Sequence, residues 1–347
     1  MIRNEGIFKD DRLPNRLLHR ERESEHLLRQ WSRRADLILH GSSGVGKTTL
    51  LRHCLQRFER MRGAETAHVA GQASAAGVLR DVLAALPGPT PAQTTPEADL
   101  ALKLQERVDG PTIVVLDEAD DIDTTAIRRL HDVEEIAIVV VAHNATEWLS
   151  MVDGPVHRQL SGTEFRLKKF STVELADILE RRADVGLVKG AVSRAQLETI
   201  ADESAGVARR GIQVLRAAAE EAARHGQKTI RDPDIDAAYG LAERRIRELA
   251  LASLGFHHHL LYELVRASDE IRAEALHTRY DELAGRAYDG RPQCPVTRGH
   301  RRRQLRKLED YGLIGSAGQG RGASYHIEDR NIPAPIDTDL PLQEPDI

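Results

Sequence analysis

Cysteine is nearly absent from this 347-residue chain: Cys54 and Cys294 are the only two, far apart and in no ligand-like spacing. They give no disulfide framework, and their scarcity fits a reducing compartment. Aromatic residues make up only 4%, so the cores have to be built from Leu, Ile, Val and Ala. Long hydrophobic runs are missing too. The longest strongly apolar stretch, Ile136–Ala142, is about a third of a membrane span, and the opening MIRNEGIFKDD lacks the apolar segment of a signal peptide. A cytoplasmic protein with no membrane partner is expected. Nor is there an overall positive charge. The net charge of −5 argues against a uniformly basic protein that coats nucleic acid, but leaves room for a local basic face. No internal repeat is found, and no Ser/His/Asp or Cys/His set has a recognisable spacing. His257, His258 and His259 are consecutive, so they fan around a helix and cannot all reach one metal ion.

What remains is a globular composition, 41% hydrophobic and 30% charged, over a length that suits two or three domains. Short apolar runs at 37–40, Thr112–Leu116 and Ile136–Ala142 read as buried strands alternating with helical stretches. That pattern predicts an α/β fold, a mostly parallel sheet with helices on its faces. The first run leads into Gly41-Ser-Ser-Gly-Val-Gly46-Lys47-Thr48, a complete GxxxxGK[ST] phosphate loop. Its chemistry needs these residue types. Gly41, Gly44, Val45 and Gly46 turn backbone N–H groups toward phosphates, Lys47 reaches the β- and γ-phosphates, and the Thr48 hydroxyl binds Mg²⁺. Thr49 opens the following helix, whose positive end adds to the site. The second run ends in Asp117-Glu118, which puts two carboxylates at the C-terminal edge of the sheet. Asp117 would hold the Mg²⁺ and Glu118 would polarise an attacking water. The third run ends at His143-Asn144. Asn144 could sense a γ-phosphate, although asparagine at a strand end is more often turn chemistry. Asp120, Asp121 and Asp123 read as solvent-facing or helix-capping residues.

From Phe170 the pattern is helical. Ser171 with Glu174 and Ser193 with Gln196 have capping-box spacing, and a third helix is expected from Val207 to His225. Further helices are expected at 259–267, 270–284 and 298–311, then a glycine-rich turn and a strand at Ala323–Ile327. Between Val296 and Ser324 lie Arg298, Arg301, Arg302, Arg303, Arg306, Lys307 and Arg321 against Glu309 and Asp310, a local charge of +5 in a negative protein. At helical spacing Leu305 and Leu308 point one way, while His300, Arg303, Arg306 and Lys307 fall on the other face. A recognition helix needs this division, with Arg298 near its start, Thr297 as N-cap and Arg321 in a basic hairpin tip for the minor groove. A solvated basic helix with no partner is the plainer reading. These segments set expected boundaries: an arm and nucleotide-binding base at 1–165, a helical lid at 166–245, a winged helix-turn-helix at 246–331, and a disordered acidic tail at 332–347.

In this order the motifs resemble the archaeal origin recognition / cell-division-control replication initiators, a family of the AAA+ class, over roughly residues 8–331. Leu13-Pro14-Asn-Arg-Leu-Leu-His19-Arg20-Glu21-Arg-Glu23 is similar to the family's segment beside the adenine. The resemblance makes Asn144 the sensor 1 residue, Phe170 and Arg182 the lid residues near the nucleotide, and Arg209 of Gly206-Val-Ala-Arg209 the sensor 2 arginine. The chain departs from the family at Phe170, usually tyrosine, and at Val207, usually acidic. Pro155 stands where the family has an arginine finger, with Arg158 as the nearest substitute. The chain is also shorter than typical members, as a divergent paralogue would be. The resemblance implies an ATP-switched protein with slow, regulatory hydrolysis, in which bound nucleotide sets the lid angle. Its implied partners are double-stranded origin repeats, other initiator paralogues and a replicative helicase. Three alternatives stay open: a winged-helix transcription regulator, a transposition or plasmid helper ATPase, and a DNA-binding structural protein with an ATP-locked site.

Overall fold

The computed structural model describes residues 1–336 except 10–11, 15, 71–73, 120–121, 292 and 319–321. The chain divides into two compact units, Met1–Ala238 and Tyr239–Ile347. The first unit runs through a short 3-10 turn (Glu5–Phe8), α1 (Glu21–Trp31), β1 (Leu37–His40), α2 (Lys47–Arg62), β2 (Glu65–Ala70), α3 (Ala75–Ala85), α4 (Glu97–Arg107), β3 (Thr112–Asp117), α5 (Thr124–His131), β4 (Ile136–Ala142), α6 (Ala145–Met151), α7 (Gly154–Leu160) and β5 (Glu164–Arg166). Helices α8 (Thr172–Gly186), α9 (Arg194–Glu203) and α10 (Ala208–Arg224) follow, and α11 (Asp232–Ser253) carries the chain across the division.

All five strands pair in parallel, in the order β2-β3-β4-β1-β5. Strands β3 and β4 are buried along their whole length, because helices cover both faces. Alternation along each strand feeds two separate cores. Ile38, Val114, Leu116, Ile138 and Val140 pack with α3, α4 and α5 on one face. Leu39, Ile113, Val115, Val139 and Val141 pack with α1 and α2 on the other. Leu, Ile, Val and Ala dominate both, as the shortage of aromatics requires. Beyond the sheet, α8 and α9 each open on a complete capping box, Ser171 with Glu174 and Ser193 with Gln196. Strands β2 and β5 were not among the strands read from the sequence. Only two of the six side chains of β2 are buried, and β5 is three residues long, so neither shows a continuous apolar run.

The second unit contains α12 (Phe256–Ser268), β6 (Glu270–Arg272), α13 (Ala273–Ala287), α14 (Arg298–Asp310), β7 (Ile314–Ala317) and β8 (Ser324–Ile327). The strands form an antiparallel sheet in the order β6-β8-β7, over a core that includes Leu260, Leu264, Leu276, Leu305, Leu308 and Ile314. Residues 270–272, expected to begin a helix, are instead a strand. Ile271 sits level with Tyr325 of β8, and pairing with that hairpin overrides local helix propensity. Thr297 caps α14 by accepting from the His300 N–H. Among the described residues no helix is long and apolar enough to cross a membrane.

The tail expected to be disordered from residue 332 is corrected at its start. Ile332 and Ala334 are buried in the core of the second unit. Tyr262 Oη donates to the Ile332 carbonyl at 2.7 Å, and the Ala334 N–H donates to the fully buried Glu263 carboxylate at 2.6 Å. Glu263 is also gripped by Arg266, at 2.7 Å from Nη2. Its charge is therefore met on two sides. Residues 337–347 lie outside the described residues. Ile332→Ala should lower unfolding stability by about 2–5 kcal/mol, the usual loss for a buried isoleucine. Denaturant unfolding checks this, since an isoleucine in a disordered tail would leave the midpoint unchanged.

Candidate functional site

The strand registers bring three strand ends together. Ile38 and Leu116 are both level with Val140, so the next residues, Leu39, Asp117 and Val141, form a row across β1, β3 and β4. The phosphate loop leaves β1 beside that row. Gly41, Gly44 and Gly46 have positive φ, and Gly46 caps α2 in the left-handed conformation at φ 94°. The Thr48 hydroxyl donates to Asp117 Oδ2 at 2.9 Å. His68 Nε2, from the neighbouring β2, reaches the same oxygen at 3.1 Å, and the Glu118 N–H bonds Oδ1 at 3.0 Å. Burial alone would raise the Asp117 pKa. The hydrogen bonds and charge of His68, with those of Thr48 and the Glu118 amide, outweigh burial and hold it below the ordinary value. The group is therefore an anion with its hydrogen-bond partners already aligned, and with the Thr48 hydroxyl it makes the hard donor set that suits Mg²⁺.

Glu118 lies half-buried with φ 54°, in the left-handed region that side chains rarely adopt. The turn is held from behind, since Trp148 Nε1 on α6 donates to the Ala119 carbonyl at 3.0 Å. Lys47 Nζ donates to the Gly41 and Ser42 carbonyls, at 2.6 and 3.2 Å, so its charge sits at the loop it was expected to serve. Val45 is buried, and Thr49 is half-buried in the first turn of α2. Asn144 is exposed, and its Oδ1 caps α6 by accepting from the Thr146 and Glu147 amides. This is the turn chemistry that sequence alone favours for such a residue. Asp123 likewise caps α5; Asp120 and Asp121 lie outside the described residues.

The turn that leads into α10 closes on the same loop. The Arg209 N–H donates to the Gly44 carbonyl at 3.1 Å, and the Phe170 N–H to the Gly206 carbonyl at 3.1 Å. Phe170 is buried beneath the guanidinium of Arg20, whose Cζ lies 3.7 Å from the ring centroid. Arg182 goes to the N-terminal arm, where its Nη1 donates to the Ile7 carbonyl. Pro155 and Arg158 are exposed on α7, and Pro155 lines a hollow with Arg128, Arg129, His131 and Gln159. Sequence reasoning missed His68 and left Arg20 without a role. His68 carried no signal, because its strand was not recognised. Arg20 stands inside the segment 13–23, whose resemblance gives no role to single residues.

The basic helix α14 needs a correction. Lys307 is only 8% exposed and Arg301 5%, so neither belongs to an outward face. Arg301 is held inside by the Val296 and His277 carbonyls, by Asp281 at 2.6 Å and by the Tyr280 ring. The outward row is Arg298, Arg302, Arg303 and Arg306. Helical phase puts Lys307 one turn beyond buried Gln304, on the flank of the leucine stripe, and a long stem packs readily there. His300 is half-buried, with Nδ1 3.2 Å from Arg303 Nη2, and Arg298 pairs with Glu274 at 2.9 Å. Arg321 lies outside the described residues. His257 reaches the Tyr288 hydroxyl and His259 the Leu251 carbonyl, at 2.6 and 2.7 Å. Among the described residues no cluster of three or more His, Cys, Asp or Glu side chains could hold a metal ion.

Comparison with known proteins gives the following. Residues 16–141 match the family model described as an AAA ATPase domain, and residues 176–240 the one described as a Cdc6 AAA+ ATPase-type lid domain. The chain is 29% identical to ORC1-type DNA replication protein 9 of Halobacterium salinarum, over 96% of each chain. Its fold is similar to that of the Aeropyrum pernix ORC1 protein in a complex with DNA, with a TM-score of 0.68 at 21% identity, covering 94% of this chain and 93% of that one. It is also similar to Cdc6p from Pyrobaculum aerophilum, with a TM-score of 0.63 at 22% identity, covering 96% and 95%. At these identities the two structures speak for the fold.

A side chain on Gly44 would find its Cβ 2.8 Å from Val207 Cγ1 and 3.1 Å from Arg209 Cβ, in a backbone conformation of φ 75°. Gly44→Ala should therefore cost about 1–2 kcal/mol in the loop and push the first turn of α10 away. Amide hydrogen exchange reads this directly: Arg209 should lose protection while the middle of α10 keeps it. Equal protection at Arg209 in both proteins would show that the lid does not rest on this loop.

Proposed function

Because the chain belongs to the archaeal origin recognition complex / cell-division-control type family of AAA+ ATPases, we propose that it is an ATP-dependent DNA replication initiator. The observation that carries the nucleotide half is the 2.9 Å bond from Thr48 to Asp117, which ties the phosphate loop to the carboxylate strand. In this reading residues 1–165 are the arm and base, 166–245 the lid, and the region from 246 a winged-helix DNA reader. ATP lies against the loop, with Lys47 on its β- and γ-phosphates and the amides around Gly44–Gly46 cradling them. Thr48 and Asp117 hold Mg²⁺, which neutralises phosphate charge when bound. Glu118 orients the attacking water, Asn144 faces the γ-phosphate, and Arg209 and Arg182 act from the lid. Turnover is slow and regulatory, with nucleotide serving to set the lid. The work is cytoplasmic, and other initiator copies and a replicative helicase are its protein partners. The relative named a DNA replication protein does not favour the transcription-regulator or transposition-helper readings.

The DNA half rests on the exposed row Arg298, Arg302, Arg303 and Arg306. Strand β7 of the hairpin packs against α14, so the hairpin stands beside the helix that carries this row. Base contacts specify and phosphate contacts position.

Two tests follow from this division. Lys47→Ala should abolish tight ATP binding, whereas Glu118→Gln should keep ATP bound and lower hydrolysis about 10²–10⁴-fold, the range for losing a general base. Nucleotide titration and phosphate release measure them, and wild-type affinity in the lysine variant would overturn the site. For DNA, Arg303→Ala should cost about 1–3 kcal/mol on a preferred sequence and relax preference at one base. Arg302→Ala and Arg306→Ala should weaken all sequences alike and reduce the salt slope by about one unit each. Binding titrations at several salt concentrations distinguish the two behaviours. If all three variants bind like wild type, α14 is not the DNA reader.

A further inference from the structure

Arg20 lies in neither the phosphate loop nor the lid, yet it touches both. It precedes α1 and is only 5% exposed. Its Nη2 donates to the Val45 carbonyl in the loop at 3.3 Å and to the Lys168 carbonyl at the lid's entry at 2.7 Å. Its Nη1 pairs with Glu23 at 3.0 Å, and its plane rests on Phe170. Burial pulls its pKa below the ordinary arginine value, and Glu23 works against that. Arginine keeps its proton in proteins regardless. From Phe170 the contacts continue around a closed circuit. The Phe170 N–H bonds the Gly206 carbonyl, and the turn that follows brings the Arg209 N–H back to the Gly44 carbonyl in the loop. One residue earlier, His19 bonds Asp177 of α8 at 2.9 Å, so the same short segment also grips the body of the lid.

We propose that Arg20 is a positioning residue for the nucleotide, a clamp that ties the shape of the phosphate loop to the attitude of the lid root. A buried arginine suits this task because its flat, five-donor group can satisfy two carbonyls, a carboxylate and a ring face at once. Lysine, a point charge on a flexible stem, cannot lie flat on the ring and bridge both carbonyls. The clamp gives nucleotide at the loop a second route to the lid, beside the action of Arg209 and Arg182. It rests on the nucleotide site proposed above.

The test is Arg20→Lys beside wild type and Lys47→Ala, read by ADP and ATP titration and by the rise in melting temperature that nucleotide causes. A merely structural arginine would lower the melting temperature of the free and the nucleotide-bound protein alike. A positioning residue should weaken nucleotide binding about tenfold or more and shrink the nucleotide-induced rise itself. Phe170→Leu, which keeps apolar bulk but removes the ring, should do the same. The double variant should be little worse than either alone, because both changes break one contact. Additive effects, or a wild-type rise in Arg20→Lys, overturn the clamp. Should Arg20→Lys fail to fold, an unchanged nucleotide-induced rise in Phe170→Leu overturns it equally. Wild type that binds nucleotide while Lys47→Ala does not keeps the site whatever Arg20 does. Wild type that binds none removes both.

Discussion

Parallel pairing of β1 with β4 and of β4 with β3 decides where every polar group of the site can lie. A slip of one residue would turn each strand's side chains to the opposite face. Here both faces are apolar, so alternation alone punishes such a slip weakly. Polar clips at the strand ends supply the missing specificity. At the start of β1, Asp36 accepts the Ile138 N–H of β4 at 2.8 Å and the Gln159 amide at 2.6 Å. At the far end, Asp117 takes Thr48 and His68 on one oxygen. A slipped register would break these bonds and leave Asp117 buried and Asp36 half-buried with fewer partners, which costs more than a mismatched methyl group. The groups proposed for phosphate and Mg²⁺ chemistry are thus also groups that fix the sheet.

One strained residue lies in the same place. Glu118 takes a left-handed backbone at the end of a fully buried strand, with its own amide tied to Asp117 and the next carbonyl tied to Trp148. Such a conformation costs on the order of 1–3 kcal/mol and persists only where the surroundings over-determine it. Trp148 lies on α6, the helix capped by Asn144. The two strand ends expected to act on one phosphate are therefore joined through an indole and one cap, independently of any ligand.

Much of this was legible in the sequence where local chemistry is self-sufficient. The phosphate loop, the Asp117-Glu118 strand, both capping boxes and the Thr297 cap depend on residues a few positions apart, and each took the predicted form. What was not legible depends on distant partners. Strand β2 buries only two of its six side chains fully and is a strand because β3 lies beside it. Residues 270–272 have an ordinary helical composition but are captured by β8. Ile332 looked like part of a Pro-rich, acidic tail until the groove beside Tyr262 and Glu263 gave it somewhere to go. Lys307 shows the limit of reading a face from charge. Two leucines define the buried direction of α14 but not its width, and a wide stripe takes in Gln304 and Lys307 as well.

The same joint is built once in each unit. Arg20 lies on Phe170 with two carbonyls and Glu23; Arg301 lies on Tyr280 with two carbonyls and Asp281. Both are 5% exposed, and both bring together segments far apart in the chain. In a protein with so few aromatic rings, three serve as platforms for arginine, the third being Phe256 under Arg291, beyond any part they take in apolar packing. The reason is geometric. A guanidinium edge satisfies backbone carbonyls that loops leave unpaired, while its weakly hydrated face needs a flat surface. A carboxylate then balances the charge, which makes burial tolerable. In the second unit this joint anchors α14 from the inside, so Arg302, Arg303 and Arg306 stand on a helix whose position does not depend on them. A surface row of arginines can then change without disturbing the core, and that separation is what a nucleic-acid-reading helix requires.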